Sequence, residues 1–191
     1  SVQVGALEDE EDPQEQKATE NAGGIAVAIT KGAENTVPKS ADETGQQSMG
    51  IDVSKHQGNI DWAKVKASGV EFAMVRVGYR AKSTGQLYED PTARYNLQEA
   101  QAAGIIRLGA YFFSSAVTEE EAREEARFTT DLIAKYKITY PVAYNCEGFQ
   151  DAGNRQYALS QTERTGLACA FLDEVAAAGY TPMFYASRNE L

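Results

Sequence analysis

From Met49 onward, short apolar segments alternate with amphipathic ones, and this alternation constrains the fold more than any other feature of the chain. Residues 50–54, 72–79, 105–114, 140–147 and 181–187 read as strands, rich in β-branched and aromatic side chains. Between them lie four segments of helical character: 61–68 with Asp61 placed to cap it, 92–103 closed by Gly104, a long one from Thr118 to about Tyr136, and 160–178 closed by Gly179. Thr118 followed by Glu121 is a capping-box pattern. Strand starts recur about every 32 residues, the length of a strand–helix–strand unit, with no sequence repeat at that period. Strands joined through helices run parallel, so the pattern predicts an α/β fold built on a parallel sheet.

The first 48 residues are of another kind. They hold ten acidic side chains against three lysines and no aromatic residue, whereas all 18 aromatics follow. Such a composition buries too little apolar surface to offset ordering entropy, so residues 1–48 are expected to be a disordered acidic tail. Its apolar run, residues 25–29, is too short for a signal core or a membrane span. Residues 49–191 are the expected folded domain.

A net charge of −10 argues against nucleic acid as the main partner. No apolar stretch approaches the ~20 residues of a membrane span. Two cysteines make no disulfide scaffold, and no spacing points to a metal. They read as buried thiols, Cys146 on an outer strand face and Cys169 on the following helix. A lone histidine, His56, weakens any hydrolase reading that needs a histidine base, and it reads as a solvated or hydrogen-bonded loop residue. Acid–base work, if there is any, falls to carboxylates.

In parallel β/α folds the chemistry gathers at the carboxyl ends of the strands. That rule selects Asp52, Tyr79, Ser114, and Asn145 with Glu147. Residues 145 and 147 are two apart on a strand and share a face with Pro141 and Ala143, while Val142, Tyr144 and Cys146 turn to the helices. A carboxylic acid at such a mouth is suited to donate a proton, which makes Glu147 the general-acid candidate and Asp52 its partner. Glycosidic bonds are the substrates most often cut by carboxylates alone. Glu119, Glu120, Glu121, Glu124 and Glu125 read as a solvated helix face, and Trp62 as an anchor for the first helix. No glycine-rich phosphate loop follows the first strand, which disfavours a nucleotide-binding α/β protein.

At these residues the sequence resembles glycoside hydrolase family 25, the lysozymes that cut bacterial peptidoglycan. Gly50-Ile-Asp-Val-Ser-Lys-His-Gln-Gly58 with Asp61 and Trp62, the Val-Arg-Val-Gly-Tyr79 strand ending, Asp90 with Tyr95 and Asn96, Gly109-Ala-Tyr-Phe-Phe-Ser114, residues 140–147 and residues 182–187 carry the likeness. The resemblance implies a (β/α) barrel of the TIM-like kind, of which about five units are present, and hydrolysis of the β-1,4 bond after N-acetylmuramic acid. It places Glu147 as general acid, Asp52 as the carboxylate of strand one, and Tyr79, Tyr111 and Tyr185 along a sugar groove. It implies no metal or organic cofactor, peptidoglycan glycan strands as partner, a monomer when the barrel is complete, and an extracellular or cell-wall setting.

Two departures accompany the likeness. The family's Asp-x-Glu aspartate is Asn145 here. If that position activates water, the amide cannot serve as base. If it orients the substrate's 2-acetamido group, the amide carbonyl still accepts the N–H. A peptidoglycan-binding module with impaired catalysis is therefore the alternative. The pattern also stops after the fifth strand, so the chain is expected to be part of a longer barrel whose first and fifth strands lack neighbours.

Overall fold

The computed structural model describes residues 48–186 and, within the preceding stretch, the strand Ile25–Val27. The rest of the segment read as an acidic tail lies outside the described residues. Strands β1 (Ile25–Val27), β2 (Gly50–Val53), β3 (Phe72–Arg80), β4 (Leu87–Glu89), β5 (Arg107–Phe113), β6 (Val142–Asn145) and β7 (Pro182–Ala186) form one sheet. Its order is β1-β7-β6-β5-β3-β2, with β4 paired to β3. Strands β2, β3, β5, β6 and β7 are parallel, as the alternating pattern predicts. Helices α1 (Trp62–Ala67), α2 (Ala93–Ala102), α3 (Glu119–Ile133) and α4 (Gln161–Ala177) provide the crossovers.

Local chemistry sets the helix limits. Asp61 accepts from the Lys64 amide at 3.1 Å. Ser160 and Glu163 complete a capping box on α4. At α3, Thr118 accepts from the Glu121 amide, but Glu121 reaches back to the amide of Val117, one residue before the expected one. Trp62 is buried, and its indole N–H donates to Asn96 Oδ1 at 3.1 Å, tying α1 to α2.

The outer face of the sheet meets the helices. Val75, Val77, Leu108, Ala110, Phe112, Val142 and Tyr144 pack there with Leu97, Ala100, Ala126, Leu167 and Phe171. Tyr144 and Phe171 have ring centroids 5.2 Å apart. Each such large apolar side chain contributes about 1.5–3 kcal/mol on burial.

Several expectations are corrected. Two antiparallel strands join the sheet. β1 lies within the stretch read as tail and pairs with β7, so the edge expected to be open there is occupied. β4 pairs with residues 78–80 of β3, on the edge that β2 leaves beyond Val53. β6 ends at Asn145, which puts Glu147 in the loop beyond it. Cys169 is exposed, and only Cys146 is buried.

Glu125 is not on a solvated face. It is fully buried on α3, where its Oε1 accepts from Arg80 Nε at 2.7 Å. Loss of hydration outweighs the Ser114 and Arg80 contacts and pushes its carboxyl up to about 7. Arg80 also bonds Glu124 at 2.7 Å, and these acids keep its guanidinium charged, so Glu125 is the partner that answers to pH. An unfolded glutamate titrates near ~4.3, so between that value and about 7 the folded chain holds the extra proton. Stability from this site is therefore full at the acid end and is lost as pH rises through that window. Thermal unfolding from pH 4.5 to 8 is expected to show this fall, and Glu125→Gln to remove that component of it. An unchanged slope in the variant would exclude Glu125 as its source.

Candidate active site at the carboxyl ends of the strands

The inner face carries different residues from the outer one. In register across the sheet, Arg76, Tyr111, Ala143 and Met183 make one row, and Tyr79, Phe113, Asn145 and Tyr185 the next. Strict alternation from Arg76 would send Tyr79 outward. A β-bulge between Arg76 and Gly78 adds one residue and turns Tyr79 inward, the kind of re-aiming that bulges perform near sites. Gly78 then faces the helices, where an added Cβ would lie 2.8 Å from Phe128 and 2.9 Å from Phe112. Lower down, a Cβ on Gly109 would meet the Met74 sulfur at 2.5 Å, so Met74 fills the space below the site.

Asp52 projects from β2 with its side chain exposed, and its Oδ1 accepts from the Tyr111 hydroxyl at 3.1 Å. Surrounding protein raises its carboxyl above the ordinary aspartate value, against the opposing pull of Tyr111 and of the Arg76 charge. Burial pushes the Tyr111 phenol well up, so it stays a neutral donor. Arg76 is buried and donates to Asp90 Oδ2 at 2.8 Å. Its guanidinium lies 5.3 Å from the Tyr79 ring centroid, as does the Lys55 ammonium. Tyr79 also stacks on Tyr88 of β4 at 5.3 Å.

The second half of the site is built on β6 and β7. Asn145 Nδ2 donates to Glu147 Oε1 at 3.4 Å and to the Tyr185 carbonyl at 3.3 Å. The Tyr185 phenol is raised by burial and by the charges of Asp52 and Glu147, so this ring lies within the field of both carboxylates.

Asp52, Tyr111, Tyr185, Asn145 and Glu147 thus share the inner face or its rim, with Tyr79 one strand further on against Lys55, Arg76 and Tyr88. Ser114 does not belong with them. It is buried, faces the helices, and hydrogen-bonds toward Glu125 and Tyr144. The strand-end rule selects its depth along the strand but not its face. Sequence reasoning missed Arg76 and Tyr88. An arginine inside an apolar strand was a signal for the first, whereas Tyr88 depends on a pairing that no local pattern announces. Among the described residues no cluster of His, Cys, Asp and Glu could hold a metal, and no helix is long and apolar enough to cross a membrane.

Parallel strands with helical crossovers and two carboxylates at their carboxyl ends match the arrangement of (β/α)-barrel glycoside hydrolases. The chain belongs to glycosyl hydrolases family 25, whose model matches residues 51–190. Lysozyme M1 of Streptomyces globisporus is 43% identical over 74 residues, 39% of this chain and 22% of that protein. The modular autolysin LytC of Streptococcus pneumoniae, solved with a synthetic peptidoglycan ligand, aligns over 73% of this chain and 32% of its own at 28% identity and a TM-score of 0.62. The bacterial lysozyme of Streptomyces coelicolor aligns over 69% and 59%, at 25% identity and a TM-score of 0.51. The chain therefore spans about a fifth of the curated relative and a third of the autolysin.

Proposed function

We propose that this chain is the catalytic-barrel portion of a muramidase that hydrolyses the β-1,4 bond after N-acetylmuramic acid in bacterial peptidoglycan. One observation carries the reading: two carboxylates, Asp52 on β2 held by the Tyr111 hydroxyl and Glu147 just beyond β6 held by the Asn145 amide, stand at the carboxyl end of one parallel sheet, both acting on the Tyr185 phenol through their charge. Glu147 protonates the glycosidic oxygen as its bond to the sugar carbon breaks, and water closes the reaction by bonding to that carbon and returning a proton to Glu147. Asp52, held by Tyr111, stabilises the positive charge that develops on the ring. Tyr79, Tyr111 and Tyr185 line the sugar groove. Asn145 steadies the Glu147 carboxyl through its amide N–H, and its carbonyl end is the part able to accept an acetamido N–H. No cofactor takes part, and the cell wall is the place of action.

A second reading, a peptidoglycan-binding module with weakened catalysis, is favoured by the amide at position 145. Reducing-end release from peptidoglycan, run beside a pull-down on the insoluble polymer, separates the two. Turnover supports the enzyme; retention on the polymer without turnover supports the module. If position 145 acts through negative charge, Asn145→Asp is expected to raise turnover, by up to the roughly 10²–10⁴-fold that a general base contributes. An active wild type with no gain in the variant would leave only the acetamido-orienting role.

A further inference from the structure

We infer that Asn154 is a positioning residue that fixes the Glu147 carboxyl in the site, an inference that rests on Glu147 being the proton donor proposed above. Glu147 lies beyond the end of β6, so the sheet ladder does not hold it. The Asn145 amide reaches its side chain at 3.4 Å, but its main chain belongs to the loop, and misplacement of a catalytic group by ~1 Å can cost 10²-fold in rate. The Asn154 side chain restrains that main chain. Its Nδ2 donates at 3.2 Å to the carbonyl of Glu147 and at 3.2 Å to that of Gly148. Gly148 has φ +81°, a left-handed turn that brings both carbonyls to one amide nitrogen.

The clamp is itself held. Asn154 is buried, and its Oδ1 accepts from the Gln156 amide at 3.1 Å. Gln156 is fully buried and donates through Nε2 to the Ala116 carbonyl at 2.8 Å. Next to it, Arg155 reaches Glu121 at 2.8 Å and the Ser115 carbonyl at 3.3 Å. The loop is thus anchored to the segment between β5 and α3, and Asn154 is the member that grips the Glu147 main chain. Arg155 anchors the same loop through Glu121 and the Ser115 carbonyl, which makes it the control for loop packing.

The test uses the full chain with Asn154→Ala, Arg155→Ala and Glu147→Gln. On soluble peptidoglycan fragments, Asn154→Ala is expected to lower kcat by about 10–100-fold with KM changed less than about threefold, and Arg155→Ala to stay within about threefold of wild type. A second readout needs no turnover. The Tyr185 phenol, followed by ring-carbon NMR, is raised in part by the Glu147 charge. Glu147→Gln is expected to lower its titration midpoint, since one of the charges that raise it is removed. Asn154→Ala is expected to reproduce most of that drop and Arg155→Ala none of it. Wild-type kcat and titration in Asn154→Ala overturn the inference, and so do equal losses in the alanine variants of 154 and 155. If the chain shows no turnover, the titration decides alone. Full turnover in Glu147→Gln removes the functional reading instead, and the titration still reports whether Asn154 holds that side chain.

Discussion

Glu147→Gln is expected to cut hydrolysis of peptidoglycan by roughly 10²–10⁴-fold while leaving the fold and glycan retention intact, the range that a positioned general acid contributes. The substitution keeps the shape of the side chain and removes its proton. Its neighbours tolerate the change. The Asn145 amide that donates to Oε1 can donate to the glutamine carbonyl, and the main-chain bonds from Asn154 do not involve the side chain. Loss of rate without loss of binding would separate proton donation from groove recognition. Reducing-end release, pull-down and thermal unfolding on the same preparations make the comparison. Undiminished turnover in the variant would remove Glu147 from the mechanism and return the role to Asp52, the other carboxylate of the site.

Much of this site was legible because parity and capping are local. Asp52 and Asn145 follow from which residues of a parallel strand sit at its carboxyl end, and the glycines at 104 and 179 close their helices with positive φ. What escaped depends on partners distant in sequence. Glu125 sits in a run of acids that reads as a wet helix face, and partners outside its helix, Arg80 45 residues earlier and Ser114 just beyond β5, receive it in the interior. Ser114 has the right depth on its strand but the wrong face. Tyr79 reaches the inner face through a bulge that strict alternation does not contain. β4 is three residues long and forms because β2 leaves the edge of β3 free beyond Val53. The loop carrying Asn154 has no periodicity, and its order comes from side-chain bonds to backbone carbonyls.

The largest effect on stability is expected at Asp90, which lies under the site and does none of its chemistry. Asp90 is fully buried and each of its oxygens is used twice. Oδ2 takes Arg76 Nε at 2.8 Å and the Lys55 amide at 3.0 Å. Oδ1 takes the Thr92 amide at 2.9 Å and the Thr92 hydroxyl at 2.7 Å. One carboxylate therefore fixes the turn after β2, the start of α2 and the only buried cation beneath Asp52 that the described residues place on the inner face. Asp90→Ala deletes these bonds and takes from the buried Arg76 guanidinium the carboxylate it pairs with. Breaking one half of a buried pair costs about 3–5 kcal/mol, which in a domain of this size lowers the unfolding midpoint by roughly 10 °C. The double variant Arg76→Met with Asp90→Ala is expected to recover part of that loss, since no uncompensated charge remains. Thermal and urea unfolding of Asp90→Ala, Arg76→Met and the double variant measure the coupling directly. A loss below about 1 kcal/mol in the single variant, or a double variant that is simply the sum of its parts, would show that Arg76 is solvated without its partner and that the pair holds nothing in place.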